Sequence, residues 1–355
     1  MYRQIFIYCF FMFLGVSPML GQQSGDHRVI VIMTDGFRWQ EVFGGLDTAI
    51  VKVKRFHHGD SARLIKQYWA PDVETRRQKL LPFFWSTIAK KGQIHGNRGK
   101  GSLVNVANPY WFSYPGYSEL LTGHVDTAVN SNDYKANPNT NFFEYLNSLN
   151  AYKGSVAAFG AWDAFDRILN EKRSGFPVVN AFDSYDSYVS TRDSDLLSRM
   201  TKDSFRAFGD AEVLDGFMHY QAMDYLKNKK PKAMFISYGE TDEFAHEGHY
   251  GHYLNAAHQF DTWLADIWNF VETDSLYKGK TTLLITTDHG RGDKVKSQWT
   301  SHGEKVKDCH EIWYALLGAN VPTMGEVSLQ EQVYQKDLIH IVAEKMGISF
   351  KSRVP

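Results

Sequence analysis

The chain has 355 residues, 43% of them hydrophobic, enough to bury the core of one large domain or two smaller ones. Its 39 basic residues stand against 40 acidic ones, and the formal charge of −1 leaves no electrostatic footprint for nucleic acid or another polyanion.

At the N-terminus, Arg3 precedes an apolar run from Ile5 to Val16, after which "SPMLGQQSGD" turns polar. This predicts a signal peptide over residues 1–21 and a secreted or periplasmic mature protein. The run falls short of the roughly 18 to 20 apolar residues that span a bilayer, so no stable membrane span is expected after processing. Cys9 lies in that leader. Cys309 alone remains; it can form no internal disulfide, and a buried thiol is expected.

Strands are expected at Arg28–Met33, Leu103–Val106, Ser155–Phe159, Ala233–Tyr238, Thr282–Thr286 and Ile312–Leu317. Nearly all lack polar alternation, as parallel strands covered on both faces should. Helical patterns lie between them: Pro82–Lys91, Phe142–Leu149, Ala211–Lys227, Gln330–Lys345, and an apolar stripe from Tyr253 to Val271 at spacings of three and four. The alternation predicts an α/β fold over residues 26–350, a doubly wound and mostly parallel sheet with helices on both faces. Arg173–Asp210 is polar and aperiodic and reads as a small cap or insertion.

Ligands of such sheets bind beyond the carboxyl ends of the strands. Asp35 follows the first strand, Asp242 and His246 follow the fourth, and Asp288 and His289 follow the fifth. His302 lies in the loop after that. Each has a plain local reading as a turn, a helix-surface pair, a cap or a structural histidine. Together they place oxygen and nitrogen donors of the kind zinc accepts at one edge. Glu240 competes with Asp242 as a donor, and the i, i+4 spacing to His246 favours Asp242. His249, His252 and His310 lie nearby and read as surface or supporting residues. Ser113, before Tyr114-Pro115, is expected at a helix N-terminus, either as its cap or as a nucleophile.

The order Asp35, Ser113 in "SYPGYSELLTG", Asp242-x-x-x-His246, Asp288-His289 and His302-Gly303 resembles the alkaline phosphatase superfamily, in particular its nucleotide pyrophosphatase/phosphodiesterase and bacterial phosphatase branches. The resemblance implies two Zn²⁺, with other divalent metals possible. One would be held by Asp242, His246 and His302, the other by Asp35, Asp288, His289 and the Ser113 oxygen. It also implies a small phosphate ester as substrate and a phosphoseryl intermediate. Three carboxylates and a serine alkoxide balance two divalent cations, and zinc lowers the pKa of a bound oxygen, as it takes water from 15.7 to about 7.

The chain departs from the phosphodiesterase branch in having Ser113 for threonine and Gly116 for the asparagine that holds a phosphoryl oxygen. Asn132 is similar in placement to the phosphate-binding asparagine of some secreted phosphatases, and Arg167 is a further candidate for that contact. Tyr117 stands where sulfatases need arginine. Sulfate or phosphonate ester hydrolysis, a phosphomutase-like transfer and an inactive extracellular binding module are the alternatives. Mono- against diester preference and oligomeric state stay open.

Overall fold

A computed structural model of the chain describes residues 26–353, so the expected leader, residues 1–21, lies outside the described residues. Among the described residues ten strands occur in chain order: β1 Arg28–Thr34, β2 Gln93–His95, β3 Leu103–Asn105, β4 Val156–Gly160, β5 Val178–Asn180, β6 Ala233–Tyr238, β7 Thr281–Thr286, β8 Tyr314–Gly318, β9 Gly325–Glu326 and β10 Gln332–Tyr334. Eight form one sheet in the order β5-β4-β6-β1-β7-β8-β2-β9. Strands β5 to β7 of that order run parallel, and β8 is antiparallel to both its neighbours. This is the mostly parallel α/β architecture the strand patterns predict.

The central strands explain why both faces are covered. In β1 every residue is buried; Ile30 and Ile32 enter one apolar cluster, while Val29, Val31 and Met33 enter the other. The same alternation divides β6 and β7. Each fully buried aliphatic side chain contributes roughly 1.5–3 kcal/mol, and burial on both faces removes any reason for polar alternation. The helix Tyr250–Thr273 covers the first face through Leu254, Phe260, Leu264 and Ile267. Helices Ser113–Thr122, Phe142–Ser148 and Gln335–Lys345 cover the second.

Several boundaries differ from expectation. Leu103–Asn105 is a strand but lies outside the main sheet, paired in parallel with β10. That pairing also shortens the helix expected from Gln330. Residues Gln332–Tyr334 give their backbone to the ladder, and the helix starts at Gln335, with Asp337 Oδ2 accepting the Tyr334 N–H at 2.9 Å. The helix expected from Ala211 begins at Asp215. Within residues 173–210, Val178–Asn180 is the edge strand of the main sheet, and Arg192–Asp203 forms a helix with a Thr191 cap. Cys309 is buried and free, and burial pushes its thiol up to about 12. Among the described residues no helix is long and apolar enough to cross a membrane.

Candidate metal centre and nucleophile

Strand register brings the site together. Thr34 of β1 pairs with Tyr238 of β6, and Met33 pairs with Thr286 of β7, so the three chains leave the sheet at one level. Asp35 emerges between the helix Glu240–His246 and the turn holding Asp288 and His289. Gly36, at φ +59°, is required there: a Cβ would lie 2.4 Å from Asp242 Oδ1. The Gly36 N–H donates instead to Asp288 Oδ1 at 3.0 Å.

His289 Nε2 is the hub. It lies 3.2 Å from Asp35 Oδ1, 3.4 Å from Asp288 Oδ2 and 3.9 Å from Asp242 Oδ1. Its other nitrogen, Nδ1, is 2.9 Å from Gly290 O, which can only accept, so Nδ1 carries the proton. A neutral imidazole then turns a lone pair toward carboxylate oxygens, and Asp35 Oδ1 and Asp288 Oδ2 have no hydrogen-bond partner. Only a second proton or a cation makes this arrangement favourable. Burial opposes protonation of His289, but the charges of Asp288 and Asp35 outweigh it and lift the group to about 9. Burial first, then the Asp35 charge, raises Asp288 well above the carboxylate range.

A second donor set adjoins the first. His246 Nε2 lies 3.0 Å from Asp242 Oδ2 and 2.9 Å from His302 Nε2, and His302 Nε2 is 3.8 Å from Asp242 Oδ1. The ligand atoms of Asp35, Asp288 and His289 lie within 4.8 Å of one another, as do those of Asp242, His289 and His302. Buried carboxylates with imidazoles and orphaned oxygens fit divalent cations, whose charge they lack. Glu240 turns away, its Oε1 accepting the Asp215 N–H at 3.1 Å, which leaves Asp242 as the inward acid of the pair.

Arg291 is a participant the motif reading missed. Fully buried, it donates from Nη1 to Asp242 Oδ1, from Nε to Trp299 O at 2.8 Å and from Nη2 to Thr300 O at 2.7 Å. Burial alone would raise Asp242; the charges of Arg291, His246 and His302 hold it well below the carboxylate range. Tyr117 is another. Its hydroxyl donates to Asp35 Oδ2 at 3.1 Å and takes a hydrogen bond from Ser237 Oγ at 2.8 Å.

Ser113 opens the helix Ser113–Thr122, and its Oγ lies 3.4 Å from His289 Nε2. The preceding residue, Phe112, is the cap and has no capping side chain, so Ser113 Oγ makes no cap bond. The Tyr114 N–H donates to Asn132 Oδ1 at 3.0 Å. Because that donor fixes the amide orientation, the Asn132 Nδ2 faces the other way, and Asn132 lines the same cavity as Ser113, Asp35, Asp242, His246 and His302. No side chain fits at Gly116, where a Cβ would lie 2.5 Å from Asp288 O. Arg167 stands apart. Its Nη1 donates to the backbone oxygens of Asn132 at 3.2 Å and Tyr134 at 2.8 Å, so it supports the loop carrying Asn132 and does not line the cavity.

The cavity measures about 180 Å³. A larger groove of about 450 Å³, lined by Leu197, Met200, Phe217, Tyr220 and Trp263, holds no ligand residue; donor chemistry, and not size, marks the site.

Residues 215–306 match the model of the Metalloenzyme superfamily, a stretch that contains Asp242, His246, Asp288, His289 and His302. No curated protein matches the chain. Among solved structures the chain is similar to lipoteichoic acid synthase LtaP from Listeria monocytogenes, at 12% identity and TM-score 0.55 over 91% of this chain and 72% of that one. It is similar to wild-type alkaline phosphatase PafA, at 9% identity and TM-score 0.55 over 92% and 96%. It is also similar to BT1596, a 2-O GAG sulfatase, at 14% identity and TM-score 0.56 over 91% and 71%. The resemblance to the alkaline phosphatase superfamily thus holds in the fold, and the family match is confined to residues 215–306.

Proposed function

We propose, from an alkaline phosphatase-like fold with a metalloenzyme core, that this chain is an exported zinc-dependent hydrolase of phosphoric esters with Ser113 as nucleophile. One relationship carries the reading: Ser113 Oγ stands 3.4 Å from the imidazole nitrogen around which Asp35, Asp242 and Asp288 gather. Asp242, His246 and His302 would hold one divalent cation, and Asp35, Asp288, His289 and Ser113 Oγ the other. Their bound charge would make the Ser113 hydroxyl a usable nucleophile near neutral pH.

The chain's own groups then set the path. Ser113 Oγ attacks phosphorus opposite the ester oxygen; the Oγ–P bond forms as the P–O bond to the alcohol breaks, and the departing oxygen takes a proton from solvent. Water next adds at phosphorus and displaces Ser113 Oγ, restoring the hydroxyl. The helix N-terminus at Ser113 favours the transferred anion. Asn132 Nδ2, left free by the bond between its Oδ1 and Tyr114, donates to a non-bridging oxygen. Gly116 cannot serve. The apolar run Ile5–Val16 and the polar sequence that follows it support export, and Tyr117, engaged with Asp35, leaves no arginine in the position a sulfatase needs.

The test is turnover by the purified, zinc-loaded protein on an aryl phosphate, an aryl phosphodiester and an aryl sulfate. Turnover of a phosphoric ester above the sulfate is expected; turnover of the sulfate alone, or of none, contradicts the proposal.

A further inference from the structure

Among the described residues no backbone hydrogen bond joins the helix Ser113–Thr122 to the turn that carries Asp288 and His289, although Gly116 packs directly on the Asp288 carbonyl. The first turn of the helix Gln335–Lys345 supplies the link. The Lys336 N–H donates to Glu119 Oε1 at 3.1 Å, and Gln335 Nε2 donates to the carbonyl oxygens of Thr287 at 3.0 Å and Asp288 at 2.9 Å. Two consecutive residues thus grip the helix that opens on Ser113 and the turn that carries His289. Glu119 also reaches back to the chain that enters its own helix, its carboxylate accepting the Ala107 N–H at 2.9 Å, the Asn108 N–H at 2.7 Å and Asn108 Nδ2 at 3.0 Å. The last bond fixes the Asn108 amide. Asn108 Oδ1 then accepts the N–H groups of Tyr110 at 2.9 Å and Trp111 at 3.2 Å, and Ser113 follows two residues on.

Two features of this bracket oppose stability. Gln335 is fully buried and its Oε1 has no hydrogen-bond partner, a loss that an apolar side chain of similar volume would avoid. Trp111 is held at φ +54°, where a Cβ is disfavoured and glycine would carry no penalty. Stability alone selects neither. What both accomplish is placement: the glutamine ties the helix Gln335–Lys345 to the metal-binding turn, and the tryptophan backbone directs the chain into Ser113. Glu119 is 1% exposed, and every group bonded to its carboxylate is an N–H donor, so an amide in its place would set donor against donor.

We infer that Glu119 and Gln335 are positioning residues for the proposed reaction: through the first turn of the helix Gln335–Lys345 they set Ser113 Oγ at its 3.4 Å separation from His289 Nε2. This rests on the proposed role of Ser113 as nucleophile. Neither residue lines the cavity, so neither touches substrate. Their effect is on alignment, and a displacement of about 1 Å in a reacting group can lower a rate on the order of a hundredfold.

The test measures kcat, KM, metal content and thermal stability in Glu119→Gln, Gln335→Met and a control, Leu338→Ala, on the phosphoric ester the protein turns over. Gln335→Met keeps the volume and removes the orphan oxygen together with the donor, while Thr287 O retains the Thr286 hydroxyl at 3.3 Å, so this variant should fold even where Glu119→Gln does not. Leu338 is a buried apolar residue of the same helix and makes none of these hydrogen bonds. The expected result for Gln335→Met, and for Glu119→Gln where it folds, is a kcat lower by at least about tenfold with KM and metal content near wild type. Leu338→Ala should lower the melting temperature and keep its kcat. A wild-type kcat in Gln335→Met, or an equal fall in Leu338→Ala, would overturn the inference while the hydrolase reading stands. If no ester turns over even in the wild type, that reading fails on its own, and crystal structures decide: a shift of Ser113 Oγ by about 0.5 Å or more relative to His289 in Gln335→Met supports the bracket, and an unmoved Ser113 overturns it.

Discussion

Arg291 binds Asp242 on one side and the carbonyls of Trp299 and Thr300 on the other. One planar fork thus joins the helix carrying Asp242 and His246 to the loop carrying His302, and lysine has no equivalent geometry. Arg291→Met would leave Asp242 buried beside fewer cations and release the loop. The expected outcome is loss of about one metal equivalent and roughly 3–5 kcal/mol of stability, read by metal analysis and denaturant unfolding. Arg291→Lys should recover part of the stability and little of the metal. Full metal content in the methionine variant would refute this bridging role.

Ser113→Ala would remove the oxygen proposed to attack phosphorus but only one of the groups around His289. Turnover should fall by at least about a thousandfold while metal content stays near two per chain. Substantial turnover by the metal-replete variant rejects Ser113 as nucleophile.

Asn132 and Arg167 are separable by magnitude. Asn132→Ala would delete the donor proposed for the developing charge, for which a loss of about 10²–10³ in kcat is typical. Arg167 acts through the backbone of residues 132 and 134, so Arg167→Met should cost only about tenfold, with thermal stability falling by about 1–2 kcal/mol. Equal losses in kcat would mean that Arg167 contacts substrate.

These residues show what the sequence could disclose. Asp35, Asp242, Asp288 and His289 were legible because each follows a strand whose unbroken β-branched or aliphatic run marks it as central, and the strand-end rule then gathers them. Arg291 lies three residues after Asp288, in plain view, yet its role depends on Asp242, 49 positions upstream. Tyr117 similarly acts on Asp35 from 82 positions away. Neither pairing leaves a periodic trace. Gln335 was hidden inside an expected helix, and the three-residue strands β2 and β5 are too short for any alternation to register. Gln332–Tyr334 was absorbed into a helical pattern because pairing with Leu103–Asn105, more than 200 residues distant, outweighs local propensity.

The raised pKa of His289 gives a pH dependence with opposite signs in the two states of the protein. Without metal, the imidazolium is stabilised by Asp288 and Asp35, with a pKa of about 9 against about 6.5 when unfolded. Its contribution to stability is complete below pH 6.5 and is lost as pH rises through 9. A metal must displace that proton, so apparent affinity should rise about tenfold per pH unit up to 9, with proton release on binding. Thermal unfolding across this range, with chelator and with Zn²⁺, should show the stability curves diverging as pH rises. Parallel curves would mean that His289 is not a ligand.

The most direct test of the central claim is anomalous diffraction at the zinc edge from crystals of the zinc-loaded protein. Two peaks about 4 Å apart are expected, one within coordination distance of Asp242, His246 and His302 and the other of Asp35, Asp288, His289 and Ser113. A single peak, or metal bound elsewhere while Asp35 and Asp288 remain without any cation, would contradict it.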